Sequence, residues 1–151
     1  MHFGEDKTKS ILFGTNRKLK GLRVLDIKRG DTQIKQHSNV KYLGCVLDNN
    51  LSGESMALQA LTKINGRLKF LYRKQNFLSS SLKRLLCNAL IQPHFELASP
   101  AWYPCLTKKF RKKIQVAQNK CIRFCLSVGE RSHIGATEFK AINWLPTKER
   151  F

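Results

Sequence analysis

The spacing of apolar residues changes period once along this chain, near Ser52, and that switch bounds the folds open to it. Upstream, short β-branched and aromatic runs are punctuated by turn residues. Ile11, Leu12 and Phe13 form an apolar run that ends at Gly14, and a basic loop from Asn16 to Lys20 follows. Val24, Leu25 and Ile27, then Arg29-Gly30-Asp31, then Thr32 to Lys35 predict a hairpin. The same Arg-Gly-Asp triplet matches a cell-adhesion motif, but a turn explains it. Val40 to Leu47 predicts the strongest strand, and Gly44 inside it marks a bulge or a second backbone passing close by.

Downstream the period is helical. Ser52 or Gly53 opens a helix whose stripe is Ala57, Leu61, Ile64, Leu68 and Leu71, with Asn65-Gly66 inside the pattern but not ending it. Ser79 to Ser81 offer caps for a second helix with a Leu82, Leu85, Leu86, Ala89, Leu90 stripe, closed by Pro93. His94 to Tyr103 is helix-like but carries Pro100. Thr107 opens a fourth helix, with Phe110, Ile114, Ala117, Cys121 and Phe124 on one side, ending near Gly129. Thr137 to Trp144 predicts a short last helix before Pro146. Strands followed by helices give the α+β class: a partial antiparallel sheet with hairpins over residues 9–48, then a bundle of four or five helices. No internal repeat is present.

Charge narrows the function. The chain has 28 Lys and Arg against 10 Asp and Glu, a net of +18, which points to a polyanionic partner. Nucleic acid is the first candidate and an acidic membrane surface the second. Residues 51–151 carry +13 of that excess, with 18 basic and 5 acidic side chains. At 100° per residue, Lys63, Arg67 and Lys74 fall within an arc of about 40°, and Lys109, Lys112, Lys113, Lys120 and Arg123 share an arc of about 100°. No acid occurs between Thr107 and Val128. A solvated helix face usually mixes signs, so this one reads as a phosphate-tracking surface.

The most apolar stretch, Leu85 to Trp102, is broken by Asn88, Gln92, His94 and Glu96, so no membrane span is expected. The first ten residues lack the apolar core of a signal peptide. Five cysteines, an odd count, then read as reduced thiols in an intracellular protein of nucleus or cytoplasm, not a secreted one. Cys121 and Cys125, with Cys105 and His133, lack the two tight ligand pairs of a structural zinc site, and Cys121 sits on an apolar stripe as a small hydrophobe. No metal ligand is assigned. Trp102 and Trp144 read as core.

Longer matches carry a family resemblance. The segment EDKTKSILF at Glu5–Phe13 is followed about thirty residues later by YLGCVLD at Tyr42–Asp48. After these come KINGRLKFLYR, LCNALIQPHFELASPAWYP and IQVAQNKCIRF, in that order. The series resembles the end of the palm and the thumb of a reverse transcriptase, of the non-LTR (LINE-like, jockey-type) retrotransposon class. The resemblance implies three regions: 1–50 as the palm end with its fourth motif and primer-grip hairpin, 51–128 as thumb-like basic helices, and 129–151 as a truncated helical extension. It implies that Lys7 lies near the phosphates of an incoming nucleotide. Tyr42, Leu43 and Gly44 would form the primer grip. Lys63, Arg67, Lys69, Arg73 and Lys74 would track the template–primer backbone, contacts that carry affinity and not sequence choice.

The family's activity is RNA-directed DNA polymerisation, with two Mg²⁺ ions held by an Asp-Asp turn and another aspartate. No Asp-Asp pair occurs in this sequence, Asp26, Asp31 and Asp48 stand without an acidic partner, and Gly4 replaces the family's Asn. The expectation is a fragment with no catalytic residue or cofactor of its own, which retains sequence-tolerant binding of RNA, DNA or hybrid duplex. Two other readings stay open: a stand-alone basic binding module, for instance a helix-turn-helix over residues 79–103, and a retrotransposon remnant with no selected function.

Overall fold

In the computed structural model, which describes residues 8–21, 25–30 and 32–151, strand gives way to helix where the apolar period changes. Lys7 lies outside the described residues. A short helix, α1 (Asn16–Leu19), opens on Thr15, whose hydroxyl accepts from the Lys18 amide at 3.4 Å. It occupies the expected basic loop. Ile11 to Phe13 do not form a strand; a single parallel bridge ties Ser10 to Gln36 instead.

Strands β1 (Ile27–Arg29) and β2 (Thr32–Ile34) form a hairpin where one is expected, with Gly30 at φ +57°. The first strand starts at Ile27 and takes in Arg29, leaving out Leu25, and Val24 lies outside the described residues. Val40 to Leu47 is not one strand. It folds back at Leu43 and Gly44, giving β3 (Asn39–Tyr42) and β4 (Cys45–Asp48) with Tyr42 opposite Cys45. Leu43 at φ +46° and Gly44 at φ +86° make the tight two-residue turn whose twist suits a hairpin. Gly44 is therefore needed for its backbone angle. A Cβ there would meet only Leu97 Cδ2 at 3.7 Å, an ordinary contact, so neither a bulge nor a crowding backbone accounts for it. The two hairpins are separate two-stranded sheets, not one partial sheet.

Asp48 joins hairpin to helix. Its buried carboxylate accepts from the Ser52 hydroxyl, the Ser52 amide at 3.2 Å and the Gly53 amide at 3.4 Å. Helix α2 (Glu54–Arg73) follows and runs through Asn65-Gly66 without a break. After it come α3 (Ser80–Leu90), α4 (Gln92–Glu96), α5 (Ser99–Trp102), α6 (Lys108–Leu126), α7 (Ala136–Ile142) and α8 (Thr147–Arg150). Ser79 caps α3 as expected, accepting from the Leu82 amide at 3.3 Å. Residues 79–103 do not form a helix-turn-helix: past Pro93 the helices span five and four residues, too short to fill a DNA groove.

The core is built on α2 and α6, whose buried residues include Leu61, Ile64, Leu68, Leu71, Ile114, Ala117, Cys121 and Phe124. These are the stripes that the period marks, and Trp102 and Trp144 join them. Helix α3 departs from expectation. Leu82 and Leu85 face outward, Leu85 at 62% exposure, while Lys83 and Cys87 are buried against α6. The Lys83 ammonium stands over the Phe124 ring, 5.5 Å from its centroid, and donates to Ser127 Oγ at 2.7 Å. That satisfied polar tip lets a lysine occupy an interior face. Ile134, Phe139 and Ile142 belong to the same core, so the C-terminal segment is packed into the bundle.

Candidate nucleic-acid interface

Helices α2 and α6 lie side by side and run parallel. At their starts the Thr107 hydroxyl donates to Glu54 Oε1 at 3.0 Å, and towards their ends Tyr72 and Phe124 meet edge to face at 5.0 Å. A groove follows this seam. Its first half is lined by Leu61, Asn65, Lys109, Lys112, Lys113, Val116, Ala117 and Lys120. Its second half is lined by Asn65, Leu68, Lys69, Tyr72, Lys120, Arg123 and Glu130. Shared Asn65 and Lys120 make the two halves continuous. From Lys109 to Arg123 the α6 wall extends about 21 Å at 1.5 Å per residue.

Six cations line this groove against one acid, Glu130, which sits beyond the end of α6. The two ion pairs among the described residues, Lys28–Asp26 and Arg150–Glu96, lie elsewhere. Lys113 rests its ammonium 4.7 Å from the Phe110 ring centroid, and Arg123 Nε donates to the Ser132 carbonyl at 2.9 Å, so both are oriented while still charged. Burial pushes the Tyr72 phenol above its ordinary value and keeps it a neutral hydroxyl beside the cations.

The placement of α6's charge runs against its own backbone. Lys108, Lys109 and Arg111 stand in or beside the first turn, where no acid occurs. Cations at a helix N-terminus oppose the macrodipole by about 0.3–1 kcal/mol each at exposed sites. Arg111 is held there by other contacts, since its Nη2 donates to the Pro104 carbonyl at 2.6 Å and its guanidinium lies 5.8 Å from the Tyr103 ring centroid; of the three, Lys109 lines the groove.

The expected backbone-tracking residues divide into two groups. Lys69 joins Lys109, Lys112, Lys113, Lys120 and Arg123 in the groove. Lys63 and Arg67 lie on the far flank of α2, about 120–160° round the axis from Lys69. There Arg67 Nη1 donates to the Leu90 carbonyl, and the charges of both cations act on His94. Burial first, then Arg67 and Lys63, hold the His94 imidazole below its ordinary pKa. Arg73 and Lys74 are exposed at the end of α2 and do not line the groove. The single tracking surface expected from the α2 cations is thus two surfaces. Asn65, Tyr72 and Val116 complete the groove and escaped the sequence reading, because none is charged; Val116 lies in the middle of α6's basic arc.

Tyr42, Leu43 and Gly44 are not brought to the cations. Tyr42 and Leu43, with Val46, Met56, Leu97, Trp102 and Cys105, line an apolar cleft of about 500 Å³ at the start of α2, with Gly44 in the turn beside it, and Leu43 is 82% exposed at the hairpin tip. Asp48 serves as the junction cap described above, and Asp26 accepts from Gln33 Nε2 at 3.0 Å and pairs with Lys28. Asp31 lies outside the described residues. Among the described residues no three His, Cys, Asp or Glu side chains come together as metal ligands. Cys87, Cys121 and Cys125 are buried between α3 and α6, where a hydrogen bond with Cys125 and then burial raise the Cys87 thiol. No helix among the described residues is long and apolar enough to cross a membrane. Comparison with protein-family models, with curated proteins and with solved structures gave no significant match.

Proposed function

We propose that this chain binds nucleic acid through its phosphates, along the α2–α6 groove, without reading sequence. The observation that carries the proposal is the groove itself: six cations from two helices, five of them along about 21 Å of α6, with one acid, Glu130, beyond the end of that helix. Lysine and arginine contacts to phosphate supply affinity by releasing counterions, so the signature is a steep salt dependence. About five such contacts on a duplex give a slope of log K against log salt of roughly −4.5. Fluorescence anisotropy of labelled oligonucleotides of unrelated sequence, across a salt series, measures it. Slopes steeper than about −3 that agree between sequences support the reading, and a slope near zero contradicts it.

The resemblance set out above supports a more specific origin, a piece of a retrotransposon reverse transcriptase covering palm end and thumb. On that reading the piece has no nucleotidyl-transfer centre. The sequence has no Asp-Asp pair, and Asp48 is committed to capping the turn into α2. Purified chain should not extend a primer on an RNA template with Mg²⁺ and deoxynucleotides. Incorporation above a heat-killed control contradicts this.

A further inference from the structure

We infer that the α2–α6 groove prefers a single strand of nucleic acid to a duplex. The inference rests on the phosphate-binding reading of the same groove and adds the class of ligand. Three features of the groove carry it. The groove is the shallow trough above the seam of two packed helices, whose axes lie about 8–10 Å apart, not an open channel. A duplex presents one phosphate ridge to such a trough and holds its bases away from it, whereas one extended strand can lay backbone and bases along it. The second feature is its floor. Between the lysines Val116 stands 43% exposed beside the buried Leu61 and Ala117, and the half-buried Tyr72 side chain lies further along.

An apolar floor offers nothing to the outside of a duplex, where sugars and phosphates face out. To a single strand it offers contact with unstacked bases while the walls hold the backbone. Third, the exposed Asn65 stands midway along the groove, and its amide, with both donor and acceptor, can meet the edge of more than one kind of base. Phosphate contact alone does not call for the apolar surface at Val116.

The experiment compares labelled oligo-deoxythymidylate and oligouridylate with a blunt self-complementary duplex carrying the same number of phosphates, each titrated across salt. Single strands should bind at least about tenfold more tightly, with a slope near −3.5 for five contacts. Val116→Ser removes apolar surface without changing charge. It should weaken single-strand binding about threefold at every salt and leave the slope unchanged. Circular dichroism checks that the exposed substitution keeps the helices, and Lys69→Ala, on the opposite wall, should instead flatten the single-strand slope by about 0.7. Equal or tighter binding of the duplex overturns the inference and leaves phosphate binding standing. Failure to bind either form overturns both.

Discussion

At Gly53 and Gly66 one substitution should have opposite signs. Gly53 sits at φ +71°, and a Cβ there would stand 2.5 Å from the Trp102 carbonyl oxygen. Gly53→Ala should therefore destabilise the chain by about 1–3 kcal/mol, from backbone strain and a forced shift of α5. Gly66 lies mid-helix with nothing within 4 Å of an added Cβ, so Gly66→Ala should stabilise it by about 0.5–1 kcal/mol. Urea midpoints measure both, and a shift of the same sign in the two contradicts the account. The tolerated glycine is legible in the sequence, because helical spacing continues on both sides of it. The required glycines are not, since neither a turn angle at Gly44 nor the approach of Trp102 leaves a local pattern. His94 gives a pH test. Its folded pKa is lowered, so the unfolded chain binds the proton first, and stability falls as pH drops below about 6.5 towards the folded value. Stability measured between neutral and mildly acid pH should show that decline, and His94→Asn should reduce it.

The long helices show how far period reaches. Helices α2 and α6 are legible because each has one buried side and one solvent side, so the stripe and its complement agree. Helix α3 is not, because its apolar residues cover two sides and only the tertiary partner selects Lys83, Leu86 and Cys87 over Leu82 and Leu85. A buried lysine has no periodic signature; what places it is the Ser127 hydroxyl, distant in sequence. Lys83→Met keeps a buried stem and loses the ammonium's hydrogen bond and its place over Phe124, at a cost of about 0.5–1.5 kcal/mol. Lys83→Ala also opens a cavity and should cost more, about 2–4 kcal/mol. Equal effects would mean that the stem does not pack. The thiols between α3 and α6 give a second reading of the same interface. Cys105 is exposed whereas Cys87, Cys121 and Cys125 are buried, and burial raises the Cys121 thiol. Alkylation followed by peptide mass mapping should label Cys105 first and the buried three on unfolding.

For the whole molecule, the question is whether binding follows from +18 spread over the surface or from the one groove. The sequence shows the concentration of charge beyond Ser52 and the arc on α6. It does not show that Lys69 belongs with that arc while Lys63 and Arg67 lie outside the groove, because the relative rotation of two helices is set by packing. A diffuse field attracts any polyanion weakly and depends on net charge alone, whereas a groove depends on which cations are removed. The most direct measurement is therefore a charge-matched comparison. Lys109, Lys112 and Lys113 are replaced together by Ala in one variant, and the exposed Lys18, Lys20 and Lys41, away from the groove, in another. Each loses three charges, and the slope of log K against log salt is measured for both. The slope of the groove variant should flatten by about 2.1–2.7 and that of the other should stay at the parent value. Equal flattening in the two variants, or none in the first, would contradict binding through the groove.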